Sequence, residues 1–415
     1  MTPKRLSRDF HLLWAGESVS MLGSAVAGTA LPLVAVVGLN ASTFEVALLT
    51  AVAWLPWLLV GLPAGAWVDR IRKRPVMATC NAISMLVFAS VPVAQLAGIL
   101  TIQYLLAAAA AGGIAKVFFS VAYRSYLTAI VDRDHLLKAN TRLLGSESVA
   151  QVGGPGLAGV LAAAFGPVTG VLADALSFGV SALCLAGIRT REKQPAKTHH
   201  TKLGTQVADG LRFVRSDPYL RVLVLFGATS NLALNGYASI QVVFLARNLN
   251  ADVTTIGVVL ALTEIGGIGG ALFVQKLAKR AGTARAFLLC EVLAAPVMLV
   301  GPLGGLTLFI AAGAAVTAGL VGSNVLTGTF RQSYCPPELF GRITASSAVV
   351  NYGTIPLGGL LGGLLGEALG VRETMVLMGA VQLAALGILL KSPLRRHRDF
   401  PTAAARPLPS LPGRR

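Results

Sequence analysis

The chain has 415 residues, of which 54% are apolar and 13% are charged, whereas an ordinary soluble domain has about 25% charged residues. This composition excludes a disordered chain, a disulfide scaffold and a soluble enzyme of ordinary make-up, and it favours a membrane protein with many spans. The four cysteines lie singly in apolar stretches, and the sequence has neither a CxxC motif nor a Cys/His cluster. We therefore expect no metal site, no disulfide framework and no bound cofactor.

Apolar runs long enough to cross a membrane follow one another along the chain, since about 20 apolar residues span the hydrocarbon as a helix. The runs cover 10–37, 43–67, 75–97, 99–122, 142–165, 167–188, 220–246, 254–275, 284–303, 305–330, 344–366 and 372–391. The predicted fold class is an all-α polytopic membrane protein with twelve transmembrane helices in two parallel six-helix halves. Its predicted domains are an N-terminal half at 1–188, a cytoplasmic linker at 189–218, a C-terminal half at 219–391 and a disordered, basic, proline-rich tail at 392–415.

Basic residues are concentrated in every second connection between the spans. Of 35 Lys and Arg residues, all but Lys116, Arg247 and Arg372 lie at the termini, in the central loop or in the even-numbered connections. This positive-inside pattern predicts a multi-pass membrane protein with both termini cytoplasmic. The net charge of +17 then reflects topology, with attraction to anionic membrane lipids as a secondary effect, and we expect no nucleic-acid partner.

The second half of the sequence repeats the first in the same direction. VDRIRKR at 68–74 has a counterpart in VQKLAKR at 274–280, which lies 206 residues later. Two further landmarks keep the same order, because Arg124 is matched by Arg331 and Pro155 by Pro356. Two parallel halves joined by a cytoplasmic loop predict a two-domain transporter whose substrate site lies between the halves, near the bilayer midplane.

Several motifs resemble those of the major facilitator superfamily. GAWVDRIRKR at 65–74 is similar to the superfamily's GxxxDRxGRR/K loop, although Arg72 replaces a glycine and Gln275 replaces the acid of the second copy. GGPGLAG at 153–159 is similar to the fifth-span motif of its drug/proton antiporters. FHLLWAGESVSMLG at 10–23 and DALSF at 174–178 resemble bacterial exporters of macrolides and of siderophores such as enterobactin.

The resemblance implies a secondary active transporter in the plasma membrane of a bacterium, which exports an amphipathic small molecule, of drug, macrolide or siderophore type, by proton antiport and alternating access. The alternative is an importer or facilitator of a small metabolite. An enzyme would need clustered His/Asp or Ser/His groups, whereas the five histidines lie in loops or at span ends. We therefore expect no enzymatic activity, and we expect a monomer whose partners are a small-molecule substrate, protons and lipids.

The loop at 65–74 is the candidate gate motif, with Gly65, Asp69, Arg70, Arg72, Lys73 and Arg74. Gly65 would let two helices approach closely. Asp69 would act as a latch that pairs with a basic group or a helix N-terminus of the other half in the outward-open state. The alternative is a solvated carboxylate among arginines that only fix the topology.

The candidate packing and hinge motif consists of Gly154, Pro155, Gly156, Gly159 and Pro356. Each proline removes a backbone donor from its span and is expected to kink it. The glycines would allow the two halves to pack closely and to seal the transport route against leakage. Packing without a hinge role is the alternative.

Ionisable groups inside spans are costly and mark functional sites. Glu17 and Lys116 are both expected about 10–12 Å from the cytoplasmic ends of their spans, at roughly 1.5 Å per residue. We predict that they pair, either for mutual neutralisation or for proton coupling. Glu264 is expected near mid-membrane, where hydrocarbon favours the neutral acid, and it is the first candidate for proton coupling. Hydrogen bonding between helices is expected for Glu147, Asp174 and Glu291.

Polar side chains in the second half are candidates for lining the substrate cavity. They are Asn231, Asn235, Asn324 and Tyr352. Their amides and phenol could bind substrate or tie neighbouring helices together, and the sequence leaves both possibilities open.

Overall fold

Helices make up almost all of the computed structural model, which describes residues 7–68, 70–132, 135–190, 192, 211–335 and 337–401. The helices of the first half are α1 (Arg8–Leu33), α2 (Thr43–Leu59), α3 (Gly61–Val68), α4 (Lys73–Leu96), α5 (Ile102–Ile130), α6 (Leu136–Phe165) and α7 (Val168–Ala186). Those of the second half are α8 (Pro218–Val243), α9 (Val253–Ala281), α10 (Thr283–Val300), α11 (Leu306–Tyr334), α12 (Pro337–Leu369) and α13 (Val371–Leu390). Most of the linker predicted at 189–218, namely residues 191 and 193–210, and residues 402–415 of the tail predicted at 392–415 lie outside the described residues.

Ten helical segments of the described chain are long and apolar enough to cross a membrane. The predicted class, a polytopic helical membrane protein, is therefore confirmed. The predicted number of twelve spans depends in addition on α8 and on the run at 43–67, neither of which is among the ten. That run is broken at Val60 into α2, of 17 residues, and α3, because Pro63 has no N–H to donate to the carbonyl of Leu59.

The residues after 392 begin with ordered structure, which differs from the disordered tail predicted to start there. A short 3₁₀ helix covers Pro393–Arg396. Phe400 is buried, and its ring stacks on Phe330 with centroids 4.6 Å apart. The disorder predicted for 392–401 was wrong because the prediction used the prolines and arginines and left out the aromatic ring of Phe400, which is buried.

Close contacts divide the chain into two compact units whose boundaries differ from those of the two sequence halves. Unit one contains Met1–His199 together with Asn235–Glu264 and Ile355–Met375. Unit two contains His200–Leu234, Ile265–Thr354 and Val376–Arg415. Parts of α8, α9, α12 and α13 therefore belong to the same unit as α1–α7.

The repeat predicted from the sequence is present in the backbone. α1 ends in a π-helical turn, Val34–Gly38, and α8 ends in another, Phe244–Asn248. Asn40 and Asn250 then both take a left-handed conformation with φ of 50°. The bonds that close the two turns are Leu39 N to Val34 O (3.0 Å), Leu249 N to Phe244 O (3.2 Å), Ala41 N to Ala35 O (2.9 Å) and Ala251 N to Leu245 O (2.9 Å).

Carboxylates fix the basic ends of the helices, meaning the ends next to the Lys- and Arg-rich connections. In unit one, Glu192 accepts from Lys73 N (2.8 Å) and Arg74 N (3.1 Å) and so satisfies free donors at the start of α4. In unit two, Asp399 does the same at the start of α10, where Thr283 N donates at 2.8 Å. Equivalent acids after the last helix of each half thus hold the start of its third spanning segment.

Asp217 at the start of α8 is buried and accepts three hydrogen bonds. Its donors are Tyr219 N (3.0 Å), Leu220 N (2.9 Å) and Tyr334 Oη (2.6 Å). The phenol on α11 therefore ties two helices of unit two through one buried carboxylate.

Tyr334→Phe removes one donor from a buried carboxylate. We expect this change to lower the free energy of unfolding by about 1–3 kcal/mol, the usual cost of leaving a buried polar group short of a partner. Thermal or denaturant unfolding of the purified protein in detergent micelles measures it. Tyr104→Phe is the matched control, because the hydrogen bond recorded at Tyr104 uses its backbone N–H. Equal stability of the two variants would contradict a structural role for the Tyr334–Asp217 bond.

Candidate functional site

A close backbone contact joins α6 to the first part of α9 within unit one. A Cβ added to Gly257 would lie 2.6 Å from Pro155 O and 2.7 Å from the Cα of Gly159. A Cβ on Gly159 would in turn lie 3.1 Å from the carbonyl oxygens of Val253 and Thr254. The helices approach this closely because neither contact residue has a side chain.

The other two glycines of the predicted packing motif on α6, Gly154 and Gly156, have different neighbours. Gly154 faces α1, where an added Cβ would collide with Ala25. Gly156 has more room, since its nearest neighbour would be the Cβ of Ala261 at 3.5 Å. The motif thus packs α6 against α1 on one side and against α9 on the other.

A second glycine contact joins the latter part of α12 to α2, also within unit one. Gly363 and Gly366, which follow Pro356 on α12, lie against α2, where added Cβ atoms would be 2.7 Å from the Cβ of Ala47 and 2.8 Å from Cγ2 of Thr43. Gly362 faces the other way and lies against Gly236 O of α8. The sequence signal was present as GGLLGGLLG at 358–366, but the prediction used only Pro356.

Polar contacts reinforce these two glycine contacts at the helix ends opposite the basic ends. Arg247 Nη2 donates to Ala41 O at 2.6 Å, and Phe44 N at the start of α2 donates to Glu367 Oε2 at 3.3 Å. The Arg372 guanidinium lies 5.9 Å from the centroid of Phe244. The two arginines that depart from the charge asymmetry therefore each have a specific partner, which sequence reasoning did not anticipate.

Two basic residues of the gate motif, Lys73 and Arg74, donate hydrogen bonds to backbone carbonyls. Arg74 Nε donates to Leu185 O at 2.9 Å and Nη2 donates to Ala186 O at 2.8 Å, which satisfies carbonyls at the end of α7. Lys73 Nζ donates to Ile71 O at 3.0 Å, whereas Arg70 and Arg72 are exposed. Asp69, the predicted latch, lies outside the described residues.

Gly65 does not mediate the close helix approach that the sequence predicts. A Cβ added to it would meet no atom of the described residues within 4 Å. The error arose because the helix breaks into α2 and α3 just before this glycine, so that its backbone is not held against a neighbour.

Glu17 on α1 belongs to a cluster of polar groups from α5 and α6. Lys116, Tyr123 and Glu147 are close enough to interact with it electrostatically. Its Oε2 atom and the Tyr123 hydroxyl are buried without a hydrogen-bond partner among the described residues.

The direct ion pair predicted between Glu17 and Lys116 is absent from the described part of the chain. The Lys116 ammonium lies 6.0 Å from the centroid of the Trp54 ring, and it acts electrostatically on both Glu17 and Asp174. One lysine thus lies within electrostatic range of two carboxyl groups in unit one instead of binding tightly to either.

Asp174 makes the contact between helices that the sequence predicts for it. It is 2% exposed and accepts from Ser24 Oγ of α1 and Ser177 Oγ of α7, both at 3.3 Å. The bond to Ser24 connects the first and last helices of the first half.

Glu291 on α10 makes a corresponding contact in unit two. It is 5% exposed, and Gln382 Nε2 of α13 donates to its Oε2 at 3.5 Å. Ser230 and Gln382 line a cavity of about 10 Å³ beside it. Ser230 lies 206 residues after Ser24, and Gln382 lies 208 residues after Asp174, so these two pairs occupy matching positions in the two halves. At this position each half buries a carboxyl group, but the first half carries it on α7 and the second half on α10.

The other predicted site residues are less enclosed. Glu264 is half-buried on α9. Asn231, Asn235 and Tyr352 are half-buried and Asn324 is exposed. A Cβ added to Gly227 of α8 would lie 3.1 Å from Oδ1 of Asn351, the residue before Tyr352.

Two parallel repeats of apolar helices, joined by glycine contacts and carrying buried carboxyl groups, define a membrane transporter. The family model described as "Transmembrane secretion effector" matches residues 3–411. The chain therefore belongs to this family of the major facilitator superfamily, as its motifs predict, and it is a transporter rather than an enzyme.

Relatives and solved structures agree with this assignment. The multidrug efflux pump Tap of Mycolicibacterium fortuitum is 27% identical over 382 residues, which cover 87% of this chain and 90% of Tap. A bacterial homologue of the iron transporter ferroportin in an inward-facing state has the same fold, with a TM-score of 0.75, 16% identity and coverage of 94% and 99% of the two chains. The nucleoside transporter NupG matches with a TM-score of 0.74, 11% identity and coverage of 94% and 100%.

Gly257→Val tests the contact between α6 and α9. Its side chain would clash with backbone atoms of α6, and such overpacking costs typically about 1–3 kcal/mol. We expect transport by the variant to be lost at equal expression, with a lowered unfolding temperature in detergent. Gly269→Val on the same helix is the matched control, because a Cβ there would meet no described atom within 4 Å. If both variants transport alike, the close contact is not needed.

Proposed function

We propose that this transporter exports an amphipathic small molecule, of drug, macrolide or siderophore type, by proton antiport and alternating access. The observation that carries the proposal is the fifth-span motif, whose Gly159 lies directly against Gly257 of α9. The same motif resembles that of drug/proton antiporters, and the relative Tap is named a multidrug efflux pump. Export is thus supported both by the fifth-span motif, which makes the contact with Gly257, and by the sequence similarity to Tap.

The proposed location is the plasma membrane of a bacterium, with both termini in the cytoplasm. The concentration of Lys and Arg in alternate connections supports this orientation. Arg247 and Arg372, which would face the outside, are each engaged by a partner in unit one. Their placement is therefore compatible with the orientation that the other basic residues favour.

The contacts of Arg247 and Glu367, together with the glycines of α12, would form the outer closure of the transport route. Alternating access requires such a closure to form in one state and to separate in the other. A ladder of small residues suits this role, since backbones that touch without interlocking side chains can part without repacking. Asp69 would act at the opposite end as a latch.

Proton coupling would depend on Glu264 and on the group of Glu17 and Lys116. A carboxyl group inside a span changes between a neutral and a charged form when it gains or loses a proton, and this changes the cost of keeping it away from water. One oxygen of Glu17 has no hydrogen-bond partner among the described residues, and Lys116 lies within electrostatic range, so protonation of Glu17 would compete with its attraction to that lysine. Asn231, Asn235, Asn324 and Tyr352 would contact the substrate.

Transport in everted membrane vesicles tests direction and coupling together. With an acidic lumen, we expect labelled compounds of a panel that includes a macrolide to accumulate in vesicles containing the transporter and to leave when a protonophore is added. Vesicles from cells without the transporter are the control. Flux that ignores the imposed pH gradient would refute antiport, and net movement out of the lumen would favour the alternative, an importer or facilitator of a small metabolite.

Glu264→Gln removes the proposed proton-binding group while keeping its size. We expect gradient-driven accumulation to fall to the level of vesicles without the transporter, while exchange of labelled for unlabelled compound continues. Asp252→Asn is the control, since Asp252 is an exposed acid that begins α9, and asparagine caps a helix about as well as aspartate. Normal accumulation in the Glu264 variant would exclude this residue from coupling.

Arg247→Gln tests the proposed outer closure. In a variant whose four cysteines are serines, Thr43→Cys adds a thiol where Thr43 is 5% exposed beside Gly366. Loss of the bond to Ala41 is expected to speed its labelling by an impermeant maleimide about tenfold, the effect of one hydrogen bond to a charged group. Arg221→Gln at the other end of α8 is the control. Equal labelling rates would refute the closure.

A further inference from the structure

A cavity of about 390 Å³ opens in unit two where α9 ends and α10 begins. One part of its wall is cationic, with Arg280 at the end of α9, Arg285 in the first turn of α10 and Arg398 beyond α13. The rest of the wall is apolar, formed by Leu288, Leu289, Val292 and Ala281. No acidic side chain is among these lining residues, so within the described wall of the cavity three positive charges have no carboxylate beside them.

The segment around Arg398 is held in place by backbone contacts. Arg398 O accepts from Ala284 N at 3.1 Å and from Arg285 N at 3.3 Å. Gly282, with φ of 93°, allows this approach, because an added Cβ would lie 2.5 Å from Cγ of Arg398. The neighbouring acid, Asp399, accepts from the Thr283 backbone N–H and hydroxyl through Oδ1 and is not among the residues that line the cavity. The three guanidinium groups therefore come from three separate pieces of chain that are fixed together.

The apolar wall continues along α10 away from the arginines. Leu289 is 41% exposed, Val292 37% and Leu293 66%. These side chains lie on a helix that is long and apolar enough to cross the membrane. The cavity thus presents a cationic end at the start of a membrane span and an apolar surface that leads into the hydrocarbon.

We propose that this cavity binds an anionic phospholipid, with the phosphate on the arginines and an acyl chain along Leu289, Val292 and Leu293. Guanidinium groups bind phosphate oxygens in pairs of parallel charge-assisted hydrogen bonds. Basic recesses at the cytoplasmic ends of membrane helices suit anionic headgroups. A free anion would use the arginines alone, whereas a lipid also explains the exposed apolar wall. The site is independent of the direction and coupling of transport.

Native mass spectrometry of the purified full chain in detergent, titrated with dioleoyl phosphatidylglycerol, measures this binding. The test variant carries Arg280→Gln, Arg285→Gln and Arg398→Gln. We expect at least about a tenfold loss of affinity, the change for one lost hydrogen bond to a charged group. The matched control carries Lys391→Gln, Arg395→Gln and Arg396→Gln, which remove three exposed charges nearby but outside the cavity. It is expected to bind as the unmodified protein does.

Two further arms separate a lipid from other ligands. Dioleoyl phosphatidylcholine is expected to bind far more weakly, and inorganic phosphate is expected not to displace the phosphatidylglycerol. If the triple variant does not elute as a single species, Arg398→Gln and Leu289→Gln replace it, and each is expected to weaken lipid binding on its own. Unchanged affinity in the cavity variants, or equal binding of phosphatidylcholine, would overturn the proposal. If inorganic phosphate displaces the phosphatidylglycerol, the site is one for free anions, and this result would also overturn the proposal.

Discussion

Helices in a membrane gain little by hiding apolar side chains from lipid, so they associate where their backbones can touch. In unit one, two of the contacts that meet this constraint lie between Gly159 of α6 and Gly257 of α9, and between the glycines of α12 and α2. Each contact joins a helix of the first sequence half to one of the second. The grouping of Asn235–Glu264 and Ile355–Met375 with the first half follows from these contacts.

Much of the fold could be predicted because apolar run length and charge asymmetry are strong signals in a membrane protein. The order of the helices and the parallel repeat follow from them. The break between α2 and α3 was missed because hydropathy does not register a lost backbone donor, and Pro63 inside the apolar run has no N–H to donate to Leu59 O. The order at Phe400 was missed because one buried aromatic ring can outweigh several prolines and arginines around it.

The site could be predicted in part, since a residue's position along a helix gives its depth but not the direction of its side chain. Glu17 and Lys116 interact electrostatically, as the sequence led us to expect. Lys116 also interacts electrostatically with Asp174 and lies near the Trp54 ring, and it does not form a direct ion pair with Glu17. Arg247 and Glu367 could not be foreseen, because their partners are a backbone carbonyl and a backbone N–H, which leave no mark in the sequence. The role of Gly65 was inferred from a motif and depended on a continuous helix that is not there.

The paired π-helical turns have a consequence for the history of the chain. A π turn holds one residue more than the α-helical turn it replaces, and the turns at Val34–Gly38 and Phe244–Asn248 are followed by the same Leu-Asn-Ala tripeptide with the same left-handed asparagine. Two independent insertions at matching places are a poor explanation. A repeated segment accounts for both turns at once, whereas the side chains around them, such as Arg247 and its counterpart Val37, differ between the two copies.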